Sequence, residues 1–157
     1  GCGTGGHSVL LAQKGFSVVG LDISKPMLLL AQDKARAAGL PEGQPLFVQG
    51  DMRSISLPGT FDACICMFAA LGYQQSNEDV AAALASVRSH IRPGGLFIFD
   101  CWYGPAVLSE RPSQRVKEIH QGDKTIVRVA TPSLDLRRHV NKPPTPIFFA
   151  FFTQPQG

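Results

Sequence analysis

The chain has 157 residues, of which 44% are hydrophobic and 17% are charged, so it is long enough to bury a core and fits one globular domain. Its net charge is +3, and the basic excess lies after residue 100 without any basic run longer than Arg137-Arg138, which favours a solvated strand face over a nucleic-acid surface. No apolar run approaches the length of a membrane span and no signal peptide is visible, so a membrane protein is not expected.

The cysteines indicate a reducing compartment. The four residues lack the spacing of a zinc site, so no metal is expected, and three of them lie in apolar, strand-like or loop surroundings. This is typical of reduced, mostly buried thiols, and it predicts a cytoplasmic protein. The four are Cys2, Cys64, Cys66 and Cys101.

A glycine loop begins the chain and leads into an apolar, helix-like segment at residues 7–14. Glycines permit a tight turn and a close approach of a ligand to the main chain, and the next helix directs its free N–H groups at that ligand. Such a turn normally follows a buried strand. No residue precedes Gly1, so we expect the strand that delivers the loop to be missing.

Strands and helices alternate after this loop, and an acid follows three of the predicted strands: Asp22, Asp51 and Asp100. The alternation predicts an α/β fold, doubly wound around a mostly parallel sheet. The predicted elements are helix 7–14, strand 16–21, helix 24–38 with an apolar face at Met27, Leu30, Ala31, Ala35 and Ala38, strand 46–49, strand 61–68, helix 77–91 and strand 96–99.

The pattern changes beyond residue 103. Residues 115–120 and 125–129 alternate like a two-stranded antiparallel hairpin around Gly122-Asp123. We therefore predict a core at residues 1–103, a substrate-side hairpin or lid at 104–140, and an atypical tail at 141–157. The tail is rich in proline and phenylalanine, and its pattern leaves its structure open.

The glycines at positions 1, 3 and 6 satisfy G-x-G-x-x-G, with Asp22 near the offset of a ribose-binding acid. Enzymes that use nicotinamide cofactors and enzymes that use S-adenosylmethionine (SAM) both place an acid there. Taken alone, the pattern leaves an NAD(P)-dependent oxidoreductase open.

Five landmarks in order are more specific than the glycines. They are Gly1-Cys2-Gly3-Thr4-Gly5, Val19-Gly20-Leu21-Asp22-Ile23-Ser24, Gly50-Asp51-Met52, Phe61-Asp62 and Arg92-Pro93-Gly94-Gly95. In this order they resemble the class I SAM-dependent methyltransferases over residues 1–103. The resemblance implies a Rossmann-like fold, SAM as the cofactor and methyl transfer as the activity.

The resemblance also implies roles for individual residues. Gly1, Gly3 and Gly5 would form the turn beside the methionyl part of SAM, Asp22 would accept the ribose hydroxyls, and Ile23 would pack on the adenine.

Four further residues would complete the cofactor site. Asp51 would accept the adenine amino group and Met52 would lie beside the ring, whereas Met67 and Phe68 would cover the cofactor near its sulfonium. The alternative is structural, since an aspartate after a strand can also simply cap the following segment.

Methyl transfer from a sulfonium needs positioning and a dry pocket, and it needs a base only when the acceptor is a hydroxyl or an ammonium. Asp100, Tyr103 and His120 are the candidates for such a base, each with a structural alternative. Ala69-Ala70-Leu71-Gly72-Tyr73 replaces the Asn/Asp-Pro-Pro-aromatic loop of nucleic-acid amino methyltransferases, so a nucleic acid is not expected as substrate. The hairpin resembles the inserted sheet of small-molecule enzymes, which favours a small amine or hydroxyl acceptor recognised after Asp100, with Trp102 and Tyr103 lining its pocket.

The missing strand would lie between the strands ending at Asp22 and Phe68, so we expect these two strands to lack their shared neighbour. Its loss would expose backbone groups and apolar side chains. We therefore predict that residues 1–157 by themselves are poorly soluble and inactive. A non-catalytic fragment remains the alternative to an enzyme.

Overall fold

A computed structural model describes residues 1–110, 113–121, 124–135, 140–142 and 148–153. The chain divides into two units, Gly1–Trp102 and Tyr103–Gly157. None of the helices in the described ranges has the length and apolar character that crossing a membrane requires.

The first unit alternates helices and strands, as the sequence predicts. Its elements are α1 (Gly6–Gln13), β1 (Val19–Asp22), α2 (Lys25–Ala37), β2 (Leu46–Gln49), the 3₁₀ turn Met52–Ser54, β3 (Phe61–Cys66), the 3₁₀ turn Ala70–Tyr73, α3 (Asn77–Ser89) and β4 (Ile91–Phe99). The predicted α/β class is confirmed.

Local sequence sets where these helices begin. Gly5 precedes α1 in the left-handed conformation with φ 71°, and Ser76 caps α3 by accepting the Asp79 N–H on its Oγ at 3.1 Å. Pro26 lies in the first turn of α2, where the missing N–H costs nothing. Each of these helix starts therefore has a local cause in the sequence.

The strands of the first unit form two parallel pairs. β1 pairs with β2 in the register Val19↔Leu46 to Asp22↔Gln49, and β3 pairs with β4 with Cys66 opposite Phe99. Among the strands that the structure describes, β1 and β3 belong to separate two-stranded sheets. The two strands predicted to lack a shared neighbour are therefore not joined to each other.

The buried apolar side chains come mainly from one face of each helix. In α2 they are Leu28, Ala31 and Ala35, whose spacing follows the helical repeat. The predicted face was partly wrong, because Met27 and Leu30 are exposed. Residues 27–30 are four consecutive apolar residues, so the sequence alone does not decide which of them faces inward.

Two strands of the first unit also begin at other residues than predicted. β1 begins at Val19 rather than at residue 16, and Phe16 is exposed. β4 begins at Ile91, which pairs with Phe61 before the register shifts, so the segment at residues 92–95 lies inside the strand instead of ahead of it. Proline and glycine here produce an irregularity in the ladder rather than its end.

The second unit is largely antiparallel. After the short helix α4 (Gly104–Ser109), β5 (Arg115–Gln121) pairs antiparallel with β6 (Lys124–Ala130), which confirms the predicted hairpin. Two elements fall in the region whose structure the sequence left open: β9 (Phe148–Thr153) pairs with the other side of β6, and β8 (Val140–Lys142) pairs with β7 (Ser133–Asp135).

Candidate functional site

The glycine loop meets the carboxyl ends of the neighbouring strands of the first unit. The N–H groups of Gly1 and Cys2 both donate to the carbonyl of Leu21 in β1, at 2.7 and 2.9 Å. A Cβ placed on Gly1 would lie 3.1 Å from the Cβ of Ala70 and 3.6 Å from the Cε of Met52. Residues that follow β2 and β3 therefore close around the start of the loop.

Two glycines of the loop have a left-handed backbone but different surroundings. A Cβ on Gly5 (φ 71°) would lie 2.8 Å from the Cβ of Ala31 and 3.0 Å from the ring of Phe47. At Gly3 (φ 54°), apart from its chain neighbours, no heavy atom of the described residues lies within 4 Å of that position. Gly5 is thus required by packing. Gly3 is required by its backbone conformation, and its surroundings leave room for a ligand.

Asp22 joins the end of β1 to the glycine loop. Its side chain is 9% exposed, and its Oδ2 accepts the Gly3 N–H at 2.7 Å while its Oδ1 accepts the Ser24 N–H at 2.9 Å. A carboxylate has about four acceptor positions, so about two remain free. Asp22 therefore does cap the following segment, as the structural alternative predicted, and its carboxylate still has acceptor positions with which to bind a ligand.

Asp51 follows β2 and is held by Arg53. Its Oδ1 accepts the Arg53 N–H at 2.9 Å and so caps the 3₁₀ turn. The guanidinium of Arg53 contacts both carboxylate oxygens, and these side-chain hydrogen bonds lower the pKa of Asp51 to about 2. Asp51 is therefore a fixed carboxylate that stays ionised at neutral pH.

Apolar side chains accompany the two acids. Ile23, directly after Asp22, is 65% exposed, and the half-buried Met52 follows Asp51 and approaches Gly1. The structure thus places an apolar residue next to each acid at the strand ends. An acid and its apolar neighbour together offer a ligand one hydrogen-bond acceptor and one apolar surface.

The residues after β3 form a strained turn. Phe68 and Ala69 both have positive φ, at 61° and 53°, which is uncommon for residues with a side chain. Asp100 stabilises the turn, because its Oδ1 accepts the Ala69 N–H at 2.8 Å. The turn leaves Phe68 83% exposed, with its ring centroid 5.4 Å from that of His7 in α1. Strain of this kind is characteristic of functional sites.

The three candidates for a base lie in different places. Asp100 is at the end of β4 in the first unit, where one of its oxygens is engaged by the Ala69 N–H. Tyr103 and His120 belong to the second unit: Tyr103 is exposed ahead of α4, and Nδ1 of His120 lies 3.1 Å from the hydroxyl of Thr125. Of the three, Asp100 is the one that belongs to the first unit, where it holds the turn after β3.

All four cysteines are free thiols. Burial raises the pKa of Cys2, Cys64 and Cys66, so these side chains stay protonated at neutral pH. Their half-buried thiols are poor nucleophiles. The fourth cysteine, Cys101, is exposed.

Sequence reasoning missed three residues of this site: His7, Arg53 and Asp79. Arg53 contacts Asp51 and Asp79 together, and the second contact joins residues 26 positions apart. His7 meets Phe68 across a still longer separation. The one local signal was the short Asp51-Met52-Arg53 segment, in which an aspartate can bond the N–H two residues on.

Comparison with known proteins gives the family. Residues 1–95 match the methyltransferase domain family. The dTDP-3-amino-3,4,6-trideoxy-alpha-D-glucopyranose N,N-dimethyltransferase of Streptomyces venezuelae is 33% identical over 109 residues, which are 69% of this chain and 43% of that protein. The dTDP-3-amino-3,6-dideoxy-alpha-D-glucopyranose N,N-dimethyltransferase of Streptomyces fradiae is 35% identical over 104 residues, 66% of this chain and 38% of that protein.

A solved structure agrees with these relatives. SAM-bound CalS10, an amino pentose methyltransferase from Micromonospora echinaspora, matches with a TM-score of 0.69 and 26% identity over 98% of this chain and 66% of that chain. This chain spans 38% to 43% of the length of three curated relatives that it matches.

The family match decides between the two enzyme classes that the glycines left open. The match covers more than half of the chain and includes the glycine loop and the residues that follow β1, β2 and β3. The oxidoreductase alternative is thereby excluded. The chain belongs to the methyltransferase domain family, in agreement with the class I enzymes that its sequence resembles.

Proposed function

We propose that this chain forms the SAM-binding part of an enzyme that transfers a methyl group to a small-molecule acceptor, an amine or a hydroxyl. The observation that carries the proposal is the arrangement at Asp22. Its carboxylate ties Gly3 to the end of β1 and keeps about two acceptor positions free. A ribose has two neighbouring hydroxyl groups, which match that number.

The remaining cofactor contacts follow from the position of each group. We assign Gly1, Gly3 and Gly5 to the methionyl part, since the loop leads into the N-terminal turn of α1, which no side chain caps. Asp22 would bind the ribose, and the exposed Ile23 would pack on one side of the adenine.

The adenine and the sulfonium would lie against the other strand ends. Asp51 would accept a hydrogen bond from the adenine amino group, with Met52 beside the ring. Met67 and Phe68 would cover the cofactor near its sulfonium, because the strained turn holds the Phe68 ring outside the core. A positive sulfur near an aromatic face is an energetically favourable contact.

Bound SAM supplies a methyl group that is already activated, so the protein mainly has to orient the acceptor and exclude water. Asp100 supports this function as a residue that holds the Phe68-Ala69 turn in place, since its Oδ1 accepts the Ala69 N–H. A neutral amine acceptor needs no base. For a neutral amine acceptor, this assignment keeps the chemistry independent of Tyr103 and His120.

An amino group on a sugar nucleotide is the first acceptor class to test, because two relatives are named as N,N-dimethyltransferases of dTDP-amino sugars. We propose that Trp102 and Tyr103 contact the acceptor and that nucleic acid is not a substrate. The free thiols fit a reducing compartment, and we propose the cytoplasm.

The test uses the full-length protein with SAM labelled on its methyl group. dTDP-amino sugars, small amines, small hydroxyl compounds, tRNA and DNA are offered separately, and we expect label only in a small molecule. Trp102→Ala should raise the KM for that acceptor and leave the Kd for SAM unchanged. Label found in tRNA or DNA alone would exclude the proposed acceptor class, and a protein that does not bind SAM in calorimetry would exclude the proposed site.

A further inference from the structure

Arg53 lies between two carboxylates from different parts of the first unit. Its Nη2 donates to Oδ2 of Asp51 at 2.6 Å, and its Nε lies 3.1 Å from each oxygen of the same carboxylate. Its Nη1 donates to Oδ1 of Asp79 at 2.8 Å. The planar guanidinium thus binds Asp51 with one edge and Asp79 with its remaining nitrogen.

These contacts fix the orientation of the Asp51 carboxylate. Three donor hydrogens of Arg53, from its backbone N–H, Nε and Nη2, are directed at the two carboxylate oxygens. Because a carboxylate has about four acceptor positions, about one remains. One position is what a single N–H of an exocyclic amino group requires.

The contacts also attach Asp51 to α3. Asp79 lies in the first turn of that helix, where its own N–H is bonded to the cap residue Ser76 at 3.1 Å. At the other end of the 3₁₀ turn, the N–H of Ile55 donates to the hydroxyl of Ser86 at 2.7 Å. The turn that begins after Asp51 is therefore attached to α3 at two points, through Arg53 and through Ile55.

A role in stability alone does not account well for this arrangement. Arg53 and both acids are partly exposed, and ion pairs in such positions contribute little to the free energy of unfolding. The arrangement instead fixes the orientation of the Asp51 carboxylate, because it limits the rotation of that group at the end of β2, where the proposed cofactor site lies. Removing it would leave Asp51 charged but free to turn.

We propose that Arg53 is a positioning residue for adenine recognition, which aims the remaining acceptor position of Asp51 at the 6-amino group and anchors it to α3 through Asp79. The inference rests on the proposed cofactor site. It adds Arg53, which the sequence did not indicate, to the residues that determine recognition of the adenine. It predicts that Arg53 affects selectivity for the amino group rather than cofactor binding in general.

The test compares two ligands by calorimetric titration of the full-length protein. They are S-adenosylhomocysteine and S-inosylhomocysteine, in which an oxygen replaces the 6-amino group. The wild type should bind the adenine ligand at least tenfold more tightly than the inosine ligand. Arg53→Met should lower that ratio at least threefold, mostly through weaker binding of the adenine ligand, with a ligand-free melting temperature close to that of the wild type.

Further variants show which property of Arg53 causes the change in the affinity ratio. Arg53→Lys keeps the charge but loses the planar contact, so it should also lower the ratio, and Asp79→Asn should lower it to a smaller degree. Arg36→Met is the matched control, since Arg36 forms a 3.0 Å ion pair with Asp33 on the surface of α2 and should leave the ratio unchanged.

Three results would overturn the inference. An unchanged ratio in Arg53→Met would make Arg53 an ordinary surface ion pair. Equal weakening of both ligands would indicate a general effect on the fold. A wild type that binds neither ligand would exclude the cofactor site itself and, with it, the role of Arg53. If the wild type binds S-adenosylhomocysteine and Arg53→Met leaves the ratio unchanged, the cofactor site stands and only the role of Arg53 is excluded.

Discussion

Replacing Asp22 by alanine should weaken SAM binding and also destabilise the fold. The carboxylate accepts the N–H groups of Gly3 and Ser24, so the substitution leaves two backbone donors at a buried position without their partner. Hydrogen bonds to charged groups contribute about 1.5–3 kcal/mol each, which gives a loss of about 3–6 kcal/mol in the free energy of unfolding. This is a large part of the roughly 5–15 kcal/mol that typical domains have.

The effect on binding is separate from the effect on stability. If Asp22 also accepts one or both ribose hydroxyls, losing even one such bond costs about 1.5–3 kcal/mol, and about 1.4 kcal/mol corresponds to a tenfold change in Kd. We therefore expect Asp22→Ala to bind SAM at least tenfold more weakly even where the variant remains folded. Asp33→Ala is the matched control, because Asp33 is exposed on α2 and forms a surface ion pair with Arg36.

The assay is calorimetric titration of the full-length protein with SAM at a low temperature, together with melting curves recorded without ligand. The melting curves show whether Asp22→Ala is folded during the titration. Equal SAM affinity in the wild type and in folded Asp22→Ala would refute the ribose assignment. Equal melting temperatures without ligand would refute the role of Asp22 in holding the loop.

Three further predictions follow from the site. Gly5→Ala should lower the free energy of unfolding more than Gly3→Ala, since both residues pay about 1–2 kcal/mol for a left-handed backbone but only at Gly5 does the added Cβ meet α2 and β2; equal losses in urea unfolding would contradict this. Phe68→Ala should keep the wild-type melting temperature, because the side chain is 83% exposed, yet bind SAM more weakly, since the ring would lie near the positive sulfonium; wild-type affinity for SAM would exclude its covering role. Arg53→Met should be only slightly less stable than the wild type above about pH 4, because the ion pair is partly exposed, and this small difference should shrink as the pH falls from about 4 to about 2, since the folded pKa of Asp51 is lowered from 3.8 to about 2; a difference that grows on acidification would contradict the ion pair.

The sequence predicted those parts of the fold that local patterns specify. Strand and helix order in the first unit follows from apolar periodicity and from glycine, proline and acidic residues at the boundaries. The face of α2 was partly wrong because Met27 to Leu30 are all apolar, and the start of β4 was missed because Pro93 and Gly94 usually end an element. In both cases the local sequence allowed two interpretations equally well, and tertiary packing determined which one the structure adopts.

In the candidate site, too, the sequence indicated the residues that belong to local patterns and missed those that depend on long-range contacts. Asp22 and Asp51 were identified because each follows a strand in a recognisable segment. Arg53 was missed because its partner Asp79 is 26 positions away. The strained Phe68-Ala69 turn was not predicted either, since nothing in two ordinary residues signals a positive φ that depends on a hydrogen bond from Ala69 to Asp100. Long-range contacts of this kind become visible only in the fold.

The open strand edges make a prediction about residues 1–157 by themselves. β1 and β3 pair with β2 and β4 on one side, and no described strand joins the two pairs. If about five backbone hydrogen bonds are missing along these edges, at a net of about 1 kcal/mol each, the loss approaches the whole stability of a marginal domain. Unpaired edges also recruit other chains. We therefore expect this polypeptide, expressed alone, to aggregate and to bind SAM poorly. Size-exclusion chromatography and thermal melting test this, and a monomer that melts cooperatively and binds SAM at micromolar concentration would show that the two pairs of strands are sufficient.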